Sequence, residues 1–82
     1  MKELNYTTRG TCSRQIHIIV GDDQVIEKVE FLGGCSGNTQ GVAALVRGMT
    51  VSEAISRLEG IRCGMRPTSC PDQLATALKT LA

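Results

Sequence analysis

The sequence predicts an α+β fold, in which a three-stranded antiparallel sheet is followed by three helices packed on one face. Residues 12–20 and 25–32 are rich in isoleucine and valine, as strands are. After Gly33-Gly34 the apolar residues recur every three or four positions, as in helices. The 82 residues suffice for one domain over 1–82, with strands over 4–32 and helices over 38–82.

Three strands are predicted. Residues 4–9 form the first, and the other two form a hairpin around the turn Gly21–Gln24. If Asp22 and Asp23 are the centre of that turn, Val20 lies opposite Val25, and Cys12 lies opposite Gly33. Every second residue then contributes to one apolar face: Ile16, Ile18, Val20, Val25, Val29 and Phe31. The other face is mainly polar, which is typical of a sheet with one side in water.

Three helices are predicted from their caps and apolar stripes. The first covers residues 38–47 and ends at Gly48, and Thr50 and Glu53 form a capping box for the second, which Gly60 ends. The third begins around residues 69–72, where Ser69 can cap. The predicted buried stripes, in helix order, are Val42, Leu45, Val46 and Met49; Val51, Ala54, Ile55 and Leu58; and Leu74, Ala75, Leu78 and Leu81.

Composition and charge exclude several classes of function. The net charge is +1 and the pI is about 7.7, so an electrostatic nucleic-acid binder is not expected. The chain shows no signal-peptide pattern and no apolar stretch long enough to span a membrane, so we expect a cytoplasmic protein without a membrane partner. Aromatic residues make up 2% of the chain, so the core must be aliphatic and thin.

A thin core gives the four cysteines their interest, because short chains often add a metal or disulfides to a weak core. They are Cys12, Cys35, Cys63 and Cys70. The predicted register brings Cys12 and Cys35 to one end of the sheet, and Cys63 and Cys70 flank the loop between the last two helices. Cys35 and Cys70 also precede or begin helices, where the helix dipole favours a thiolate. The alternative is that all four are small buried apolar residues.

Other catalytic groups are not evident. His17 falls in the middle of a strand on the polar face, away from the cysteines, so neither a ligand role nor a Cys-His pair is expected of it. Asp22 and Asp23 are turn residues and Asp72 is a helix-start residue, so no carboxylate pair indicates acid-base catalysis. Hydrolase chemistry is therefore the least expected function.

The stretch Thr68-Ser69-Cys70-Pro71-Asp72 resembles the signature of the TSCPD domain family. Cys12, the segment from Gly34 to Asn38, and Cys63-Gly64 resemble the other motifs of its small four-cysteine members. This resemblance implies kinship with the C-terminal domain of class II, vitamin B12-dependent ribonucleotide reductases, for which a metal-binding or thiol-redox accessory role is expected. The radical-generating barrel and the cobalamin site need far more than 82 residues, so reductase activity would belong to the larger homologues.

A looser resemblance, over Val25 to Glu53, is to the U-type iron–sulfur scaffold proteins. It implies that Cys12, Cys35 and Cys63 could hold a cluster. The chain departs from these scaffolds in having Ser13 after Cys12, where they have Gly-Asp, and in having Cys70 in addition.

The leading prediction is a metal-binding accessory module in which Cys12, Cys35, Cys63 and Cys70 hold one Zn²⁺, with an iron–sulfur cluster as the less favoured cofactor. Its expected partner is a ribonucleotide reductase or another redox protein, with a link to deoxyribonucleotide synthesis. The alternatives are a thiol–disulfide relay through Cys63 and Cys70, an iron–sulfur scaffold, and an interaction domain with buried cysteines. An exposed first strand would also allow a dimer.

Overall fold

The computed structural model describes residues 1–9, 13–33, 36–62, 64, 65 and 67–81. Within these ranges the chain forms three strands and then three helices, which confirms the predicted α+β fold. The strands pair antiparallel in the order β1-β2-β3. The bounds are β1 Lys2–Thr7, β2 Ser13–Val20, β3 Ile26–Gly33, α1 Ser36–Val46, α2 Val51–Leu58 and α3 Cys70–Lys79.

The predicted register of the β2–β3 hairpin is wrong, because the turn is longer than two residues. The Gly21 N–H donates to the carbonyl of Val25 at 2.9 Å, and Gln24 lies in the left-handed region with φ 64°. Three residues therefore form the loop, with the left-handed residue in third place. Val20 consequently pairs with Ile26. Cys12 lies outside the described residues, and Gly33, which was predicted to lie opposite it, pairs with Ser13 instead.

A second irregularity between Ile19 and Val20 shifts the pairing once more, so that Ile16 pairs with Phe31 and Ile18 with Val29. In the middle of the hairpin the total shift is two residues. Side chains alternate between the two faces, so a shift of two leaves the predicted faces unchanged there. Near the turn the prediction fails, because Ile26 is buried in place of Val25.

The core is aliphatic, as predicted, and lies between one face of the sheet and the helices. Ile16, Ile18 and Val20 of β2 are fully buried at its centre. The aromatic residues Tyr6 and Phe31 pack against its margin. The buried apolar cluster consists of Ile16, Ile18, Val20, Ile26, Val29, Val46, Val51, Ala54, Leu74, Ala77 and Leu78. Burying each of its large side chains stabilises the fold by about 1.5–3 kcal/mol.

The apolar stripe of α1 is narrower than predicted. Val46 is buried and Val42 and Met49 are partly buried, but Leu45 is 74% exposed. Consecutive helical residues point about 100° apart, so a helix that buries Val46 turns Leu45 toward water. The helices have 8 to 11 residues, and none in the described part of the chain is long and apolar enough to span a bilayer.

The connection between α1 and α2 runs beside the start of β3, a contact that the sequence did not predict. Gly48 N–H donates to the Ile26 carbonyl at 2.9 Å, and Ile26 N–H donates to the Met49 carbonyl at 2.8 Å. Val51, the first residue of α2, donates its N–H to the Gln24 carbonyl at 2.9 Å. Main-chain hydrogen bonds therefore attach the start of α2 to the hairpin.

Candidate metal centre

Three of the four predicted ligands, Cys12, Cys35 and Cys63, lie outside the described residues. Cys70 is the first residue of α3, as predicted, and it is 5% exposed. For the other three cysteines, the structure describes the residues on either side, and these show where the connections that contain the cysteines begin and end.

Two of these connections begin or end at one end of the sheet. Ser13, which follows Cys12, begins β2, and it pairs with Gly33, the last residue of β3. Cys35 follows two residues later, just before α1 begins at Ser36. The chain segments that contain Cys12 and Cys35 are therefore both joined to the same end of the β2–β3 hairpin.

The start of α3 is held by Ser69, whose hydroxyl makes two hydrogen bonds. Its oxygen accepts the N–H of Asp72 at 3.1 Å, which satisfies one of the unpaired donors at the helix start. The same hydroxyl donates to the carbonyl of Ile61 at 2.6 Å. Ser69 is buried, and through it the residue two positions before Cys63 is attached to the residue before Cys70.

The carboxylate of Asp72 makes two further hydrogen bonds to the connection between α2 and α3. One oxygen accepts the N–H of Gly60 at 2.7 Å, and the other accepts the Thr68 hydroxyl at 2.5 Å. The pKa of Asp72 lies below its usual value. The largest cause is the hydrogen bond from Thr68, and the second largest is the hydrogen bond from the Gly60 N–H. Burial opposes both, and the charges of Lys79 and Arg62 lower the pKa further. These contacts favour the ionised carboxylate.

Gln73 extends these contacts to the sheet. Its side-chain nitrogen donates to the Thr68 hydroxyl oxygen at 3.1 Å, and its side-chain oxygen accepts the main-chain N–H of Arg9 at 3.1 Å. Arg9 follows β1 and precedes Cys12 by three residues. Gln73 and Thr68 are both buried. The start of α3 therefore contacts both Arg9, two residues after the end of β1, and the connection that carries Cys63.

The sequence predicted Ser69 as a cap and Asp72 as a helix-start residue, but it did not predict what Thr68, Asp72 and Gln73 contact.

His17 lies on the polar face as predicted, where its ring nitrogen is 2.5 Å from a carboxylate oxygen of Glu3. Within the described ranges, no three His, Cys, Asp or Glu side chains are grouped closely enough to share a metal ion.

Comparison with protein families agrees with the resemblance of residues 68–72 to a family signature. The model of the TSCPD domain family matches residues 2–82 of the chain. The chain belongs to the TSCPD family. Comparison with curated proteins and with solved structures gave no match. In this TSCPD domain, Cys70, Pro71 and Asp72 of the signature form the start of α3. Thr68 and the cap Ser69 precede the helix.

Proposed function

We propose that this TSCPD domain is a small metal-binding accessory module in which Cys12, Cys35, Cys63 and Cys70 hold one Zn²⁺. The observation that supports it best is the set of contacts around the start of α3. Gln73 contacts the main chain three residues before Cys12, and Ser69 contacts the main chain two residues before Cys63. The Ser13–Gly33 pair joins the segments of Cys12 and Cys35 to one end of the sheet.

The donor set fits zinc. Four thiolates at about 2.3 Å complete a tetrahedral site that is closed to substrate, as in structural zinc sites. The ion would supply folding free energy to a chain whose core is small and aliphatic. The burial of Cys70 also favours this role over a thiol–disulfide relay, since a reacting thiol needs access to its partner disulfide.

The family supports a finer proposal, that the module assists a ribonucleotide reductase or another redox protein in the cytoplasm, in connection with deoxyribonucleotide synthesis. A reducing compartment keeps thiols available for metal binding. This part of the proposal is tested separately, by co-purification of the untagged chain with reductase subunits from the cells that produce it.

Metal analysis of the untagged protein tests the main proposal. We expect one zinc per chain and a melting temperature that falls when a chelator removes the metal, because binding only the folded state stabilises that state. Replacing any of the four cysteines by serine should abolish stoichiometric zinc binding. Met65→Leu is the matched control, since it removes a fully exposed sulfur from the same connection as Cys63 and should leave zinc content unchanged.

The other outcomes are distinct. Protein that contains neither zinc nor iron, and whose melting temperature does not respond to a chelator, would contradict the proposal. A brown protein that passes an iron–sulfur cluster to an acceptor would indicate a scaffold. Two thiols that cycle between reduced and oxidised states, with the other two unchanged, would indicate a relay through Cys63 and Cys70.

A further inference from the structure

We propose that Gln73 is a positioning residue that holds Arg9, on the segment that leads from β1 to Cys12, against the start of α3. We call the hydrogen bond between Arg9 and Gln73 the Gln73 link. The Arg9 N–H and the Gln73 side-chain oxygen that form it are 3.1 Å apart, although the two residues are separated by 64 positions in sequence. The inference rests on the proposed function in one respect, namely that the positioned segment carries a metal ligand.

Donor and acceptor can be assigned both in the Gln73 link and in the neighbouring hydrogen bond from Gln73 to Thr68. The main-chain N–H of Arg9 can only donate, so the Gln73 oxygen faces it. The Gln73 nitrogen can only donate, so the Thr68 hydroxyl oxygen accepts from it and the one hydroxyl hydrogen is donated to the Asp72 carboxyl oxygen. Hydrogen bonds that follow one another in this way polarise and strengthen one another.

Burial makes this arrangement demanding. Gln73 and Thr68 are each 9% exposed, and no buried side-chain nitrogen or oxygen in the described part of the chain lacks a hydrogen-bond partner. An apolar side chain in place of Gln73 would leave the Arg9 N–H and the Thr68 hydroxyl oxygen without this partner, and the loss at the buried Thr68 is unfavourable. The segment from Arg9 toward Cys12 would then lose its attachment to α3.

The neighbouring amide provides an internal control. Thr8 N–H donates to the Arg14 carbonyl of β2 at 3.1 Å, just past the end of β1, whereas Arg9 N–H donates to the Gln73 side chain of α3. Loss of the link should therefore affect the Arg9 amide and leave the Thr8 amide protected. A general loss of stability would expose both amides to exchange.

The test compares Gln73→Leu with Gln40→Leu, an exposed glutamine on α1. Amide hydrogen exchange of the full chain should be at least tenfold faster at Arg9 in Gln73→Leu, and unchanged at Thr8. Zinc affinity, measured by competition with a chromophoric chelator, should fall about tenfold in Gln73→Leu, as is typical when groups that orient metal ligands are removed. Gln40→Leu should match the wild type in both measurements.

Two further variants keep the test valid if Gln73→Leu does not fold. Gln73→Met removes both hydrogen-bonding groups but keeps the length and unbranched shape of the side chain, and it should expose the Arg9 amide as Gln73→Leu does. Thr68→Val removes the group that orients the Gln73 amide and should expose the Arg9 amide in part, whereas Thr76→Val, on the exposed side of α3, should not.

The outcomes separate the two proposals. Wild-type protein that binds no zinc would overturn the proposed function, and the link would then be judged by the Arg9 amide alone. Equal protection of that amide in the wild type and in Gln73→Leu would overturn the link. If the wild type binds zinc and Gln73→Leu binds it as tightly, the positioning role is wrong even though the hydrogen bond exists.

Discussion

The starts of α2 and α3 have the same local pattern but are attached to the rest of the molecule differently. Thr50 caps α2 by accepting the Glu53 N–H at 3.2 Å, and Ser69 caps α3 by accepting the Asp72 N–H at 3.1 Å. Each helix thus has a hydroxyl cap, with an acidic residue three positions later. The Glu53 carboxylate pairs with Arg57 on its own helix, whereas the Asp72 carboxylate reaches the connection before α3.

The difference separates two ways of docking a helix. The start of α2 is docked by main-chain groups, including the Val51 N–H on the Gln24 carbonyl, so its side chains serve mainly the helix itself. The start of α3 is docked by side chains of Ser69, Asp72 and Gln73. We therefore expect matched substitutions to cost far more at α3 than at α2.

The largest contrast is expected between the two acidic residues. Asp72→Ala removes the acceptor of the Gly60 N–H and of the Thr68 hydroxyl, and should lower the free energy of unfolding by about 2–3 kcal/mol. Glu53→Ala removes an exposed pair with Arg57 four residues on, and should cost about 0.5 kcal/mol. Urea unfolding at one fixed zinc content measures both. Equal losses would show that side chains do not dock α3.

A smaller contrast is expected between the two capping residues. Thr50→Ala removes one hydrogen bond at an exposed helix start and should cost about 1 kcal/mol. Ser69→Ala removes the cap and the donor to the Ile61 carbonyl at a buried site, and should cost about 2 kcal/mol. The same urea experiment measures the two variants. If Ser69→Ala costs no more than Thr50→Ala, the bond to Ile61 contributes no net stability.

The two helix starts also show what the sequence could predict. A cap is a local signal, since the hydroxyl and the N–H that it accepts are three residues apart, and both caps were predicted. The Arg9–Gln73 contact joins residues 64 positions apart, and no pattern in the sequence pairs a main-chain N–H with one particular glutamine. The contacts that connect α3 to the segments near Cys12 and Cys63 therefore needed the structure.

The β2–β3 hairpin likewise has a feature that local sequence patterns predicted and one that they did not. Its strands and the central part of its buried face were predicted from alternation, which depends only on the period of two. Its register depends on whether the turn has two or three residues, and that in turn depends on the left-handed conformation of Gln24. Glutamine is not a typical left-handed residue, so no residue of the turn indicated that it is longer. Of the four predicted ligands, the structure describes Cys70 alone, at the helix start where its capping neighbour predicted it.

The smallest expected effect concerns this turn, which docks the start of α2. Gln24→Gly removes the steric cost of a side chain at φ 64° but makes the unfolded chain more flexible, so a gain of about 0.5 kcal/mol is expected. Gly48, at φ 91° in the same contact, provides the opposite test: no neighbour lies within 4 Å of an added Cβ, so Gly48→Ala should cost about 1 kcal/mol through backbone strain alone. Both are measured by urea unfolding. If Gln24→Gly instead destabilises the protein by clearly more than the roughly 1 kcal/mol that a more flexible unfolded chain can cost, the glutamine side chain contributes to docking α2, and the contrast between main-chain docking at α2 and side-chain docking at α3 fails.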